Sequence, residues 1–111
     1  VFLPGMIDRA SGDIFFISSM SGKKGDPLGG AYCASKFGIQ GLAQSLLYEV
    51  RKHNIRVMVL NPSSVVTGAE SEENASQRLH AVDIAKTVVH MATLPSRTLI
   101  RDMDLWGTNP Q

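Results

Sequence analysis

Apolar Val1, Phe2, Leu3, Met6 and Ile7 precede a polar stretch from Asp8 to Gly12, a spacing that predicts the tail of a helix. Residues 13–18, Asp-Ile-Phe-Phe-Ile-Ser, form a short apolar run between Gly12 and a Ser/Gly cluster. Such a run suits a strand buried on both faces, as in a parallel sheet. Residues 19–30 are rich in Gly, Ser and Lys and contain Asp26-Pro27, which predicts a loop. From Ala31 to His53 the period becomes helical, with Tyr32, Lys36, Ile39, Ala43, Leu47 and Val50 recurring on one side. A neighbouring stripe, Ala34, Gly38, Gly41 and Ser45, holds only small residues. Each glycine inside a helix costs about 1 kcal/mol relative to alanine, and close approach of another backbone is the simplest compensation. Asn54 fits the position just past the helix end, where a left-handed conformation is often needed.

Residues 55–61, Ile-Arg-Val-Met-Val-Leu-Asn, are rich in β-branched side chains and predict a second strand. A loop over 62–80 follows. Asp83 is expected to cap a helix over 83–93 that buries Ile84, Val88 and Met91, and residues 99–106 predict a third, weaker strand. The order β-α-β-α-β implies right-handed crossovers and a parallel sheet with helices packed against it, an α/β fold.

Composition narrows the function classes. The chain has 111 residues, 43% hydrophobic and 19% charged, and a formal net charge of +1. Lys and Arg are spread along it, so a nucleic-acid partner has no electrostatic footprint. No apolar run approaches the roughly 18 residues that span a bilayer, so no membrane partner is expected. The single cysteine, Cys33, excludes an internal disulfide and reads as a small buried residue, which fits a reducing, cytoplasmic setting. His53, His80 and His90 have neither metal-ligand spacing nor a carboxylate partner, so no metal is expected.

Tyr32 and Lys36 lie four apart near the start of the long helix and project from one face. Ser19 precedes Tyr32 by 13 residues, at the mouth of the first strand, where ligands bind in open α/β sheets. Alternation along the strand turns Ser18 away from Ser19. A tyrosine with its ordinary pKa of about 10 is a poor acid near neutrality, and moving such a group to about 7 takes some 4 kcal/mol of preference for the phenolate. An ammonium about 5 Å away, at an effective dielectric near 20, supplies roughly 3 kcal/mol.

The blocks from Gly12 through Ser19 to Gly22, from Ala31 through Tyr32 to Lys36, and from Asn54 to Pro62 resemble, in order and spacing, the short-chain dehydrogenase/reductase family in its single-domain branch. The resemblance implies the C-terminal part of a doubly wound, Rossmann-like parallel sheet. It implies NAD or NADP as cofactor and a small carbonyl or alcohol as substrate. It makes Tyr32 the acid/base, Lys36 its tuning residue and a ligand of the nicotinamide ribose, and Ser19 the donor that polarises the carbonyl oxygen. In the loop after the second strand, Pro62 and Thr67 match the family, and Val65 and Thr67 are the implied nicotinamide contacts. Ser63 stands where the family has glycine, which would be strained if that position needs positive φ.

The glycine-rich turn, the residue that chooses between NAD and NADP, and the asparagine of the preceding helix have no counterpart in residues 1–111. The chain is therefore expected to be the C-terminal catalytic half of one domain, without its cofactor-gripping half. In full-length form a homodimer or homotetramer is expected. The alternative is a truncated, non-catalytic module acting through dimer or partner contacts on its small-residue helix face.

Overall fold

The computed structural model describes residues 1–66, 68 and 76–108. Helix α1, Leu3–Arg9, carries Pro4 in its first turn and ends at Ala10, which adopts the left-handed conformation. Leu3, Met6 and Ile7 face the core. Strand β1, Gly12–Ile17, leads into a short 3-10 turn, Met20–Gly22. Helix α2, Gly30–Val50, is followed by a second 3-10 turn, Arg51–His53, and by Asn54 at φ 60. Strand β2, Ile55–Pro62, precedes helix α3, Ala81–Thr93, and strand β3, Asp102–Leu105. Asn54 occupies the left-handed position that its short polar side chain tolerates.

The three strands are parallel in the order β1-β2-β3. Gly12 pairs with Ile55 and Ile17 with Leu60, while Val59 pairs with Asp102 and Pro62 with Leu105. Central β2 is buried along its whole length. Its odd-numbered side chains, Ile55, Val57 and Val59, pack with Ala43, Leu47 and Val50 of α2. Its even-numbered ones turn to the opposite face, where Arg56 reaches the carbonyl of Ala92 near the end of α3. The α/β class and the parallel sheet expected from the element order are present.

Some local expectations need correction. Strand β1 is half-buried, not buried on both faces, and it lies at one side of the three described strands. The buried residues of α2 are Cys33, Gln40, Ala43, Leu47 and Val50, while Tyr32, at the start of the expected side, is exposed beside the cleft. Within the chain the small-residue stripe is left open: a Cβ at Gly38 or Gly41 would meet nothing within 4 Å among the described residues. His80, not Asp83, is the N-cap of α3, and the Asp83 carboxylate accepts the His80 backbone N–H at 2.8 Å. The third strand is also shorter than 99–106. Among the described residues no helix is long and apolar enough to cross a membrane.

Candidate active site

All three strands end at one edge, and the residues that follow build a cleft there. Ser18 extends the ladder by one bond, its N–H donating to the Leu60 carbonyl at 2.8 Å. Consecutive side chains then part to opposite faces. Ser18 is buried, and its hydroxyl donates to the Lys36 carbonyl at 3.4 Å on the α2 side. Ser19 turns to the other side. Its Oγ accepts the Ser21 N–H at 3.2 Å, so a lone pair is occupied while the hydroxyl hydrogen is left to donate.

Gly22 holds the turn against α2. A Cβ there would stand 2.8 Å from the Ser18 Oγ and 3.0 Å from the Lys36 carbonyl oxygen, a space only glycine leaves free. Tyr32, on the first turn of α2, is 53% exposed and leans over the strand ends. The Lys36 ammonium stands 5.6 Å from the centroid of its ring, within cation–π range. Among the described residues Lys36 makes no ion pair, so its charge is not committed to a carboxylate.

The cleft has a volume of about 310 Å³, and Ser19, Tyr32, Pro62 and Val65 line it together. Thr67 lies outside the described residues. Ser63 carries no strain: its φ is not positive, and its N–H donates to the Leu105 carbonyl at 2.8 Å. Four residues of the lining, Ile17, Ser18, Ser63 and Ile84, are not among the site residues expected from the sequence. Ser18 and Ser63 adjoin residues that are, and Ile84 of α3 belongs to the stripe expected to be buried. Ile17 was legible from alternation, since it shares a face with Ser19; Ile84 needed the position of α3.

A second set of polar groups also went unread. Gln40 donates to Asn61, Asn61 donates to Asp102, and the Asp102 and Asp104 carboxylates accept from Lys23 at 3.1 and 2.6 Å. The hydrogen bond that Lys23 donates to Asp104, outweighing burial and joined by the contact with Asp102, holds the Lys23 ammonium above its ordinary pKa. A glutamine on the buried stripe of α2 was the available signal, because a buried amide must find partners.

A family model described as short chain dehydrogenase matches residues 1–78. The chain is 35% identical to a sepiapterin reductase of Chlorobaculum tepidum over 102 residues, which cover 89% of this chain and 42% of that protein. Among solved structures, a metagenomic short-chain oxidoreductase in complex with NADP is 33% identical, with a TM-score of 0.73 over 97% of this chain and 43% of the other. Serine dehydrogenase from Escherichia coli shares the fold at a TM-score of 0.85 and 24% identity, covering 98% of this chain and 46% of that one. The chain thus spans less than half the length of these relatives. Matched by that model over residues 1–78, and built as a parallel sheet with Ser19 just past β1 and Tyr32 and Lys36 on helix α2, the chain belongs to the short-chain dehydrogenase family.

Proposed function

We propose that the protein containing this chain interconverts an alcohol and a ketone or aldehyde with NAD or NADP, and that residues 1–111 are the C-terminal catalytic half of its single Rossmann-like domain. The observation that carries this reading is the convergence of Ser19 and Tyr32 on one cleft at the strand ends, with the Lys36 ammonium beside the phenol ring. Ligands of open α/β sheets bind at that edge.

The cleft suits the nicotinamide half of a dinucleotide. Ile17, Pro62 and Val65 offer apolar surface for a flat ring, and Ser63 adds a hydroxyl. Tyr32 and Lys36 would hold the ribose, and Pro62, Val65 and Thr67 the nicotinamide, the part of Thr67 resting on the family pattern. The NADP complex of the 33%-identical oxidoreductase supports the cofactor class. When bound, the nicotinamide supplies or takes up the hydride.

In the direction of reduction, Ser19 donates a hydrogen bond to the carbonyl oxygen and holds it as negative charge develops there. Tyr32 gives its phenolic proton to that oxygen while the carbon gains the hydride, so the product is the alcohol. Lys36 stabilises the charge left on the phenol oxygen. Oxidation runs the same transfers backwards. Replacing Tyr32 by Phe in the whole protein is expected to lower turnover by about a hundredfold or more while NADPH fluorescence titration still reports binding. Turnover that survives the substitution counts against the assignment.

A homodimer or homotetramer in the cytoplasm completes the proposal. Phe37, Leu42 and Tyr48 of α2 are exposed, and Gly38 and Gly41 leave room for another backbone beside them. The same open face supports the second reading, a non-catalytic module that works through partner contacts. Dinucleotide binding by the whole protein separates the two, since the module has no use for it.

A further inference from the structure

On the α2 side of the sheet, directly behind the cleft, runs a line of polar groups that the proposed reaction leaves unused. Asn61 is completely buried near the end of β2, and the register sets it beside Asp104 of β3. Its side-chain oxygen accepts from Gln40, which lies one helical turn beyond Lys36 on α2. Its side-chain nitrogen donates to Asp102 and, at 3.2 Å, to Asp104. Both carboxylates accept from Lys23, the residue that ends the Met20–Gly22 turn. The turn that begins at Ser19 is thereby tied to β3, and β3 is tied through Asn61 to the helix that carries Tyr32 and Lys36.

The inner end of the line, Asn61 with Gln40, is buried, whereas Lys23, Asp102 and Asp104 are partly exposed. Buried polar groups are costly unless each finds a partner, and a fully connected set favours one arrangement of the elements that carry it. Asp102 and Asp104 lie two apart on one strand face, where like charges repel, and the Lys23 ammonium is the cation that faces both. Ser19 sits at the opposite end of the same turn from Lys23, with its Oγ aimed by the Ser21 N–H.

The geometry points to Lys23 as a positioning residue: its clamp on Asp102 and Asp104 fixes the turn that aims the Ser19 hydroxyl toward the Tyr32 side of the cleft. This inference rests on the oxidoreductase reading of that cleft, and its test keeps the two apart. Lys23→Met and Lys23→Arg are made in the whole protein. Amide hydrogen exchange is followed over residues 19–23, and NADPH-dependent reduction of 2,3-butanedione and benzaldehyde is assayed alongside NADPH binding. In Lys23→Met, exchange over the turn is expected to speed up and kcat to fall about tenfold, with KM for NADPH changed by less than about twofold. Lys23→Arg, which keeps the charge and the reach, is expected to recover most of kcat. Unchanged exchange in Lys23→Met overturns the clamp. Faster exchange with unchanged kcat overturns its part in positioning Ser19. A wild-type protein that binds neither NADH nor NADPH and reduces neither probe with either, but whose turn still loosens in Lys23→Met, keeps the tie and removes the oxidoreductase reading instead.

Discussion

The Lys36 ammonium stands 5.6 Å from the centroid of the Tyr32 ring, held there by one turn of helix α2. A cation held beside an acid/base phenol favours the charged form, an effect that solvent weakens where the pair is exposed. Lys36→Met in the whole protein is therefore expected to lower kcat/KM by about ten- to a hundredfold, measured by steady-state kinetics. An unchanged kcat/KM would show that the ammonium does not act on the phenol.

Arg56 ties three parts of the fold together. Its guanidinium grips both carboxylate oxygens of Asp13 at 2.7 and 2.8 Å and donates to the carbonyls of Ala92 at 3.0 Å and Thr98 at 2.9 Å. The bond to Asp13 outweighs burial and raises its already high pKa, so the charge persists at any ordinary pH. Arg56→Met leaves a carboxylate and several carbonyls without their donor, and a loss of about 3 kcal/mol or more is expected. Urea denaturation reads it as a lower midpoint at an unchanged slope.

Two glycines should respond in opposite directions. Gly22→Ala forces a methyl group against the Lys36 carbonyl and the Ser18 hydroxyl, so the turn must move and stability should fall by about 1 to 3 kcal/mol. Gly41→Ala meets open space in the middle of α2 and should raise the stability of this chain by about 1 kcal/mol. Thermal melts of the two variants check both signs. If Gly41→Ala also weakens self-association by sedimentation, a second copy packs on this face.

Asn54 carries a smaller and sharper prediction. It sits at φ 60 and ψ 28, between the turn after α2 and strand β2. Asn54→Ala should cost about 1 kcal/mol and Asn54→Gly almost nothing, because only the first adds the left-handed penalty of an ordinary Cβ. Equal losses in the two melts would trace the effect to the side chain instead of the backbone.

Much of this site was legible before any coordinates. Spacing along a helix is a local property, so Tyr32 and Lys36 declared their shared face, and alternation along a strand separated Ser18 from Ser19. The polar line from Gln40 to Lys23 was not legible, because its members come from four separate elements and meet only when those elements pack. Along α2 the expected residues share one side, and only the tertiary structure shows that Tyr32 at its start is exposed. Helical period fixes which residues share a side, but the position of the sheet edge decides where along the helix that side stops being covered.

The order of elements, the strand that β2 becomes, the left-handed turn at Asn54 and the block pattern of the family all follow from the chain read residue by residue, since each depends on near neighbours and backbone preference. The cleft shared by Ser19, Tyr32, Pro62 and Val65, the entry of Ile84 from α3, and the Arg56 and Lys23 ties exist only in three dimensions. They depend on contacts between segments tens of residues apart, and burial against a particular neighbour is decided by packing, which no local pattern encodes.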